Sequence, residues 1–151
     1  EYGITYTPIK DLMIRFSGTN ARHQFVDYVE RGNDYAGNIM NGAPAWISNA
    51  EIVYKPSFVK GLRVAVEMQH MNPYFMDPAN TKRYEGFTIF NFRAGYRIKG
   101  FEVWCNVMNF TNRLYATRAA LSLWGETYSV GEPIGVNVGI GYNFVGKPKA
   151  K

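Results

Sequence analysis

Cysteine, histidine and long apolar runs are scarce in this sequence, and each scarcity excludes a class of protein or site. Cys105 is the single cysteine, which excludes an internal disulfide and a zinc site built from cysteines. His23 and His70 lie far apart in the sequence, so no metal site and no cofactor is predicted. Ser17 and Ser48 have no histidine at a spacing that favours catalysis, and no enzyme is predicted. No apolar run approaches the roughly 18 residues of a membrane-spanning helix.

The body of the chain also carries little net charge. The formal charge is +5, but three of the positive charges are Lys147, Lys149 and Lys151 near the C-terminus, which leaves +2 for the rest. A surface that follows nucleic-acid phosphates needs more positive charge than this. We therefore expect no nucleic-acid partner.

Strict alternation of apolar and polar residues is abundant. In GVNVGIGYNF, the valines, Ile140, Tyr142 and Phe144 share one face, and glycine and asparagine occupy the other. Seven segments show this alternation, and no segment shows the 3.6-residue spacing of a helix. The prolines are expected between the strands or in the tail. The seven predicted strands lie in residues 1–8, 11–18, 46–56, 62–69, 87–100, 101–109 and 135–144.

The connections between these strands are alternately short and long, so the two ends of the sheet differ. The long connections cover residues 29–44, 73–84 and 111–131. Membrane barrels have this asymmetry, and they carry aromatic residues at the membrane boundary. Aromatic residues of the apolar face lie beside the short turns or the C-terminus: Tyr6, Tyr54, Tyr96, Phe101, Tyr142 and Phe144. The pattern favours an antiparallel transmembrane β-barrel, with a soluble sandwich or lipocalin-like barrel as the alternative.

Strand parity predicts that this barrel is larger than the chain. If the last strand ends at the short-turn side, seven strands place the start of the first strand at the long-loop side. Bacterial barrels of one chain have an even number of strands and no open edge. We therefore expect about seven strands from the C-terminal end of a larger barrel, with further strands before Glu1.

Charged residues on the polar face are expected to pair inside the barrel. Arginine and glutamate are interleaved there, and in a wet interior they form salt-bridge networks. The residues concerned are Arg15, Arg63, Arg93, Arg97, Glu51, Glu67 and Glu102.

Several motifs resemble the C-terminal third of the TonB-dependent outer-membrane receptors, over nearly all of residues 1–146. GNIMNGAPAW resembles a segment that leads into one of their strands, and VMNFTNRLYA, residues 107–116, resembles their penultimate-strand segment. The last strand resembles the signal read by the barrel-assembly machinery. The residues that match that signal are Asn137, Gly139, Tyr142 and Phe144. Such signals usually end the chain, whereas VGKPKAK follows here.

This resemblance implies residues 1–144 as part of a barrel of about 22 strands, followed by a basic tail at 145–151. It implies an N-terminal plug domain, the remaining barrel strands, outer-membrane lipid and a TonB-type energy-coupling protein as partners. The location would be the outer membrane of a Gram-negative bacterium. The activity would be uptake of a scarce nutrient, most readily a ferric siderophore, with cobalamin, haem or a glycan as alternatives. An autonomous small outer-membrane barrel with a structural or enzymatic role is the competing interpretation.

The last long connection holds the predicted ligand-binding residues. Arginine forms bidentate bonds to carboxylate or catecholate-like oxygens, and aromatic rings cover flat apolar surfaces. An anionic ligand with flat apolar parts is therefore expected. The alternative is that the aromatic residues only anchor the loop at the membrane surface. The residues are Arg113, Arg118, Tyr115, Trp124 and Tyr128.

Overall fold

The computed structural model describes residues 1–144, which form strands and connections and no helix. No helix long and apolar enough to cross a membrane is therefore found in this part of the chain. The predicted basic tail, residues 145–151, lies outside the described residues. The strands are β1 (Tyr2–Ile9), β2 (Leu12–Asn20), β3 (Val29–Glu30), β4 (Asn33–Asp34), β5 (Trp46–Tyr54), β6 (Leu62–Met71), β7 (Tyr74–Phe75), β8 (Arg83–Tyr84), β9 (Phe87–Ile98), β10 (Phe101–Met108), β11 (Ala116–Ser122), β12 (Gly125–Val130) and β13 (Gly135–Tyr142).

Seven of these strands form one antiparallel sheet in the order β1-β2-β5-β6-β9-β10-β13. Each strand pairs with the next one along the chain, once the short strands of the long connections are set aside. The all-β antiparallel prediction and its seven strands are confirmed. Within residues 1–144, β1 pairs only with β2 and β13 only with β10, so the described sheet has two open edges.

The register gives the sheet one polar and one apolar face, because successive residues of a strand point to opposite sides. Arg15 lies opposite Glu51, and Glu51 lies opposite Glu67, so one polar row crosses three strands. The neighbouring apolar row contains Ile14, Ile52 and Val66. The predicted salt bridges of the polar face are confirmed. They join Arg15 and Arg63 to Glu51, Arg93 to Glu67, and Arg97 to Glu102.

Pro8 departs from the expectation that prolines lie outside the strands. It lies inside β1, next to the irregularity of the β1–β2 register between Tyr6 and Ile9. Proline has no N–H to donate to a ladder, so it is tolerated at edges and bulges. Both conditions hold for Pro8 in the described sheet, which explains why the strand continues through it.

Aromatic residues flank both ends of the apolar face. At the short-turn end, the ring of Tyr142 lies 4.5 Å from that of Phe101 and 4.6 Å from that of Phe144. At the long-loop end, the Nε1–H of Trp46 donates to the Tyr2 hydroxyl at 2.7 Å. The predicted aromatic belt beside the short turns therefore has a counterpart near the long loops.

Three long loops project from one end of the sheet, and each contains a hairpin that the alternation pattern does not predict. We name them loop 1 (residues 21–45), loop 2 (residues 72–86) and loop 3 (residues 109–134). Loop 1 contains the β3–β4 hairpin, loop 2 the β7–β8 hairpin, and loop 3 the longer β11–β12 hairpin. A small buried apolar cluster lies between loops 2 and 3. It consists of Tyr74, Met76 and Ala119.

Candidate functional site

Loops 1 and 2 are joined by side chains that imitate the pairing of strands. Asn80 accepts a hydrogen bond from the Ile39 N–H at 2.9 Å and donates from Nδ2 to the Ile39 carbonyl at 2.8 Å. Asn38 donates to the carbonyl of Pro78 at 2.9 Å. Asn80 has a φ of 58°, a conformation that asparagine tolerates better than most residues. The two loops are therefore held in one relative position.

The turn of loop 2 is held by the buried carboxylate of Asp77. It accepts hydrogen bonds from the Lys82 N–H at 2.9 Å and the Thr81 N–H at 3.0 Å, and from the Thr81 hydroxyl at 2.9 Å. Burial opposes ionisation of this carboxyl, but the N–H groups of Lys82 and Thr81 outweigh it and lower the pKa of Asp77. The charged carboxylate thus stabilises the turn.

Loop 3 is fastened to loop 2 by two tyrosine hydroxyls. The Tyr74 hydroxyl accepts from the Ala119 N–H at 2.7 Å and donates to the Ala119 carbonyl at 3.2 Å. The Tyr84 hydroxyl does the same for Ala116, at 2.8 Å and 3.0 Å. Each hydroxyl thereby replaces the donor and acceptor of a neighbouring strand along one edge of β11. No local sequence pattern reveals this pairing, because the partners lie 32 and 45 residues apart.

An ion pair adds a second link between the same two loops. The Lys82 ammonium lies 3.0 Å from the Glu126 carboxylate, which also accepts a hydrogen bond from the Tyr128 hydroxyl at 2.6 Å. The bond from Tyr128 and the bond from Lys82 lower the pKa of Glu126. The hydrogen bond between the Tyr128 hydroxyl and Glu126 also raises the pKa of Tyr128.

Asn109 closes the base of loop 3, a role that its residue type alone does not predict. Its Nδ2 donates to the carbonyls of Arg113 at 2.9 Å and Glu132 at 3.0 Å, and its Oδ1 accepts from the Arg113 N–H at 3.0 Å. The side chain is 1% exposed. Asn112 adds a bond from the Ile134 N–H at 3.1 Å. Both asparagines belong to NFTN, within the motif that carries the family resemblance.

Three of the five predicted ligand-binding residues line one pocket of about 490 Å³. We name it the tyrosine pocket. Its lining residues include Arg113, Tyr115, Tyr128, Tyr84 and Glu85. The ring of Tyr115 lies 4.6 Å from that of Phe87, where β9 begins. The pocket contains one positive and one negative side chain, so its formal charge is balanced.

Arg118, the fourth predicted residue, lines a different pocket of about 440 Å³. We name it the arginine pocket. It lies between loop 1 and β11, above the ends of β5 and β6. Its lining residues include Asn41, Ile47, Met71, Tyr74, Met76 and Arg118. Ile47 and Met71 lie opposite each other on the polar face of the sheet. The structure therefore separates the two predicted arginines instead of bringing them together.

Trp124, the fifth predicted residue, belongs to neither pocket. It lies at the tip of the β11–β12 hairpin and is 95% exposed.

His70 is hydrogen-bonded through both ring nitrogens. Its Nδ1 lies 2.8 Å from the Thr88 hydroxyl, and its Nε2 lies 2.8 Å from Oδ1 of Asn72. Within residues 1–144, no three side chains of His, Cys, Asp or Glu converge on a common point that could hold a metal ion.

The residues of the predicted assembly signal lie on both faces of the last strand. Asn137 and Gly139 are on the polar face of β13, opposite Asn106 and Trp104. Tyr142 ends β13, and Phe144 follows it with 89% of its surface exposed. Their role in assembly stays a prediction, because the fold alone does not test it.

Comparison with solved structures identifies this fold. The siderophore receptor PiuA from Acinetobacter baumannii matches with a TM-score of 0.76 and 18% identity, over 93% of this chain and 20% of that chain. The ferric yersiniabactin uptake receptor FyuA from Yersinia pestis matches with a TM-score of 0.72 and 14% identity, over 93% of this chain and 22% of that chain. The chain has the barrel-wall fold of siderophore receptors. The resemblance to TonB-dependent receptors is thereby confirmed at the level of the fold.

A third structure agrees with this barrel-wall fold. BauA, the ferric preacinetobactin receptor from Acinetobacter baumannii, matches with a TM-score of 0.72 and 16% identity, over 93% of this chain and 21% of that chain. The chain therefore spans about a fifth of the length of the receptors it matches. No protein-family model and no curated protein sequence matches it.

Proposed function

We propose that this chain forms the C-terminal part of the barrel wall of an outer-membrane receptor for uptake of an iron complex. The observation that carries the proposal is the fold match of 93% of the chain to about a fifth of a siderophore receptor. Three of the matched proteins are receptors for a siderophore or a ferric complex, and a fourth, FecA, is a ferric citrate transporter. The protein is then a transporter in a Gram-negative outer membrane and not an enzyme.

The two faces of the sheet support this assignment. The apolar face, with exposed residues such as Ile52, Val103 and Ile140, suits contact with lipid. The polar face, with its salt bridges, suits a wet barrel interior. Every backbone group within a bilayer needs a hydrogen-bond partner, so strands in lipid require a closed ladder.

The open edges of the described sheet favour a larger barrel over an autonomous small one. A closed barrel made from these strands alone would pair β1 with β13, whereas each has one neighbour within residues 1–144. Further barrel strands would pair with both edges. Residues 1–144 are then one barrel part, and residues 145–151 are a basic tail.

The remaining partners follow from the TonB-dependent class that the sequence resembles. A plug domain would fill the interior against the polar face, and a TonB-type protein would supply energy through that plug. The barrel-assembly machinery would recognise Asn137, Gly139, Tyr142 and Phe144. Loops 1 to 3 would form part of the outer rim, where the ligand first binds.

Labelling of single cysteines in whole cells tests the orientation. Cys105 is first replaced by serine in the full-length protein, and a membrane-impermeant maleimide is then applied to Trp124→Cys and to Lys99→Cys. Trp124 lies at the tip of loop 3, and Lys99 lies in a short turn at the opposite end of the sheet. We expect labelling of the first variant alone in intact cells and of both after lysis. Equal labelling in intact cells contradicts the proposed orientation.

Transport is tested by deletion of the gene. We expect the deletion strain to accumulate less radioactive iron from a ferric siderophore supplied as the only iron source, and the complete gene to restore uptake. Unchanged uptake of every ferric siderophore on which the parent strain grows would contradict the iron assignment.

A further inference from the structure

We propose that the arginine pocket is a binding site for a ligand with one anionic group and a flat apolar body. The proposal rests on the proposed function for its biological meaning, because the pocket would lie at the inner side of the receptor's outer rim. Its chemistry is argued from the residues that line it.

The charge of the pocket decides the sign of the ligand. Arg118 is the only charged side chain among its lining residues, all of which lie in the described part of the chain. Arg118 is exposed and forms no ion pair with any residue from 1 to 144. Several arginines of the sheet do form ion pairs: Arg63, for example, lies 3.1 Å from Glu51. Arg118 is therefore free to form a bidentate bond with a carboxylate or a similar anion.

The tyrosine pocket offers a weaker site for an anion. Arg113 lines it together with Glu85, so a carboxylate that approaches Arg113 also approaches a negative charge. This difference separates two arginines that the sequence placed in one site.

The apolar part of the arginine pocket fits a flat ligand body. Its larger apolar lining residues are Ile47, Met71, Tyr74 and Met76, of which Ile47 is 40% exposed. Methionine side chains adapt to a ring and make favourable contacts between sulfur and aromatic carbon. A volume of about 440 Å³ lies within the usual range for small-molecule sites, about 300 to 1,000 Å³.

The position of the pocket is fixed before any ligand binds. The hydroxyl of Tyr74 holds β11 through Ala119, and the Gly42 N–H of loop 1 bonds to the Phe75 carbonyl of loop 2 at 2.8 Å. The opposite sides of the pocket thus belong to loops that are fastened to the same hairpin. Binding then requires little ordering of the chain, which favours affinity.

Calorimetric titration of the full-length protein in detergent tests the site. The probes are naphthalene carboxylate and the uncharged naphthalene carboxamide, which share one ring system. We expect the carboxylate to bind about tenfold more tightly than the amide, as one charge-assisted interaction allows. Arg118→Ala should bind both probes with the affinity that the wild type has for the amide. Arg22→Ala, which removes an exposed arginine of loop 1 that lines neither pocket, should behave as the wild type does.

Three outcomes would overturn the proposal: unchanged carboxylate affinity in Arg118→Ala, an equal loss in Arg22→Ala, or no binding of either probe by the wild type. Uptake of radioactive iron by the same strains separates this proposal from the proposed function. Arg118-dependent binding without iron uptake leaves the pocket established and refutes the iron assignment. Iron uptake without Arg118-dependent binding refutes the pocket alone.

Discussion

The indole of Trp104 lies across Gly139 of the neighbouring strand, so closely that a Cβ at Gly139 would overlap the ring. The two residues are directly opposite each other on the polar face. Packing against Trp104 therefore requires a glycine at position 139, independent of its place in the predicted assembly signal.

We expect Gly139→Ala to destabilise the barrel by about 1 to 3 kcal/mol, the usual cost of overpacking. Gly141→Ala is the control, because a Cβ at Gly141 meets nothing within 4 Å. The measurement is the melting temperature of the full-length protein in detergent. In a Trp104→Ala background, adding Gly139→Ala should cost nothing more. A persistent cost in that background would favour a role for Gly139 beyond packing.

The sheet was predictable from the sequence because its information is local. Alternation along a strand such as β13 sets both faces, and short turns such as residues 99–100 set the neighbours. The β3–β4 and β7–β8 hairpins were not predictable, since each of their strands has two residues and no pattern can form over that length. The separation of Arg113 and Arg118 was not predictable either, because it depends on how β11 is placed.

The placement of β11 depends on the tyrosine hydroxyls of loop 2, and Tyr74→Phe tests it. The substitution leaves the buried N–H and carbonyl of Ala119 without their partner, at a cost of about 1 to 3 kcal/mol. We expect faster amide hydrogen exchange throughout β11 in the full-length protein. Tyr128→Phe is the control, because within residues 1–144 its hydroxyl bonds only to the exposed Glu126 side chain. Unchanged exchange in Tyr74→Phe would show that the ring alone holds the hairpin.

Asn109 and Asn112 allow a matched test at the base of loop 3. Asn109→Asp loses the two Nδ2 donors and places a carboxylate against the carbonyls of Arg113 and Glu132. Asn112→Asp keeps its acceptor for the Ile134 N–H. We expect the first variant to open loop 3 to protease in the folded receptor and the second to resist as the wild type does. Equal resistance would mean that Asn109 is not needed to close the loop.

Acid should loosen the turn of loop 2. Asp77 has a folded pKa below its ordinary value of 3.8, so its stabilisation is present above that value and is lost as pH falls through the lowered pKa. We expect pepsin cleavage within residues 76–82 to increase between about pH 5 and pH 2. The Asp77→Asn variant should be cleaved faster at every pH, and its cleavage rate should depend less on pH. The pKa of Glu126 is also lowered, so acid weakens its ion pair with Lys82 as well. Glu126→Gln is the control that separates the effect of this ion pair from that of Asp77.

The assembly role of the C-terminal aromatic residue is tested by two phenylalanines. Phe144 is 89% exposed beside Tyr142 at the short-turn end, and Phe110 is 41% exposed near Phe90 at the loop end. Both rings contribute exposed apolar area, but Phe144 alone belongs to the predicted signal and to the belt at that boundary. We expect Phe144→Ala to lower the surface level of the full-length receptor several-fold more than Phe110→Ala. Comparable surface levels, measured by whole-cell labelling, would remove Phe144 from the signal and leave it as an ordinary boundary residue.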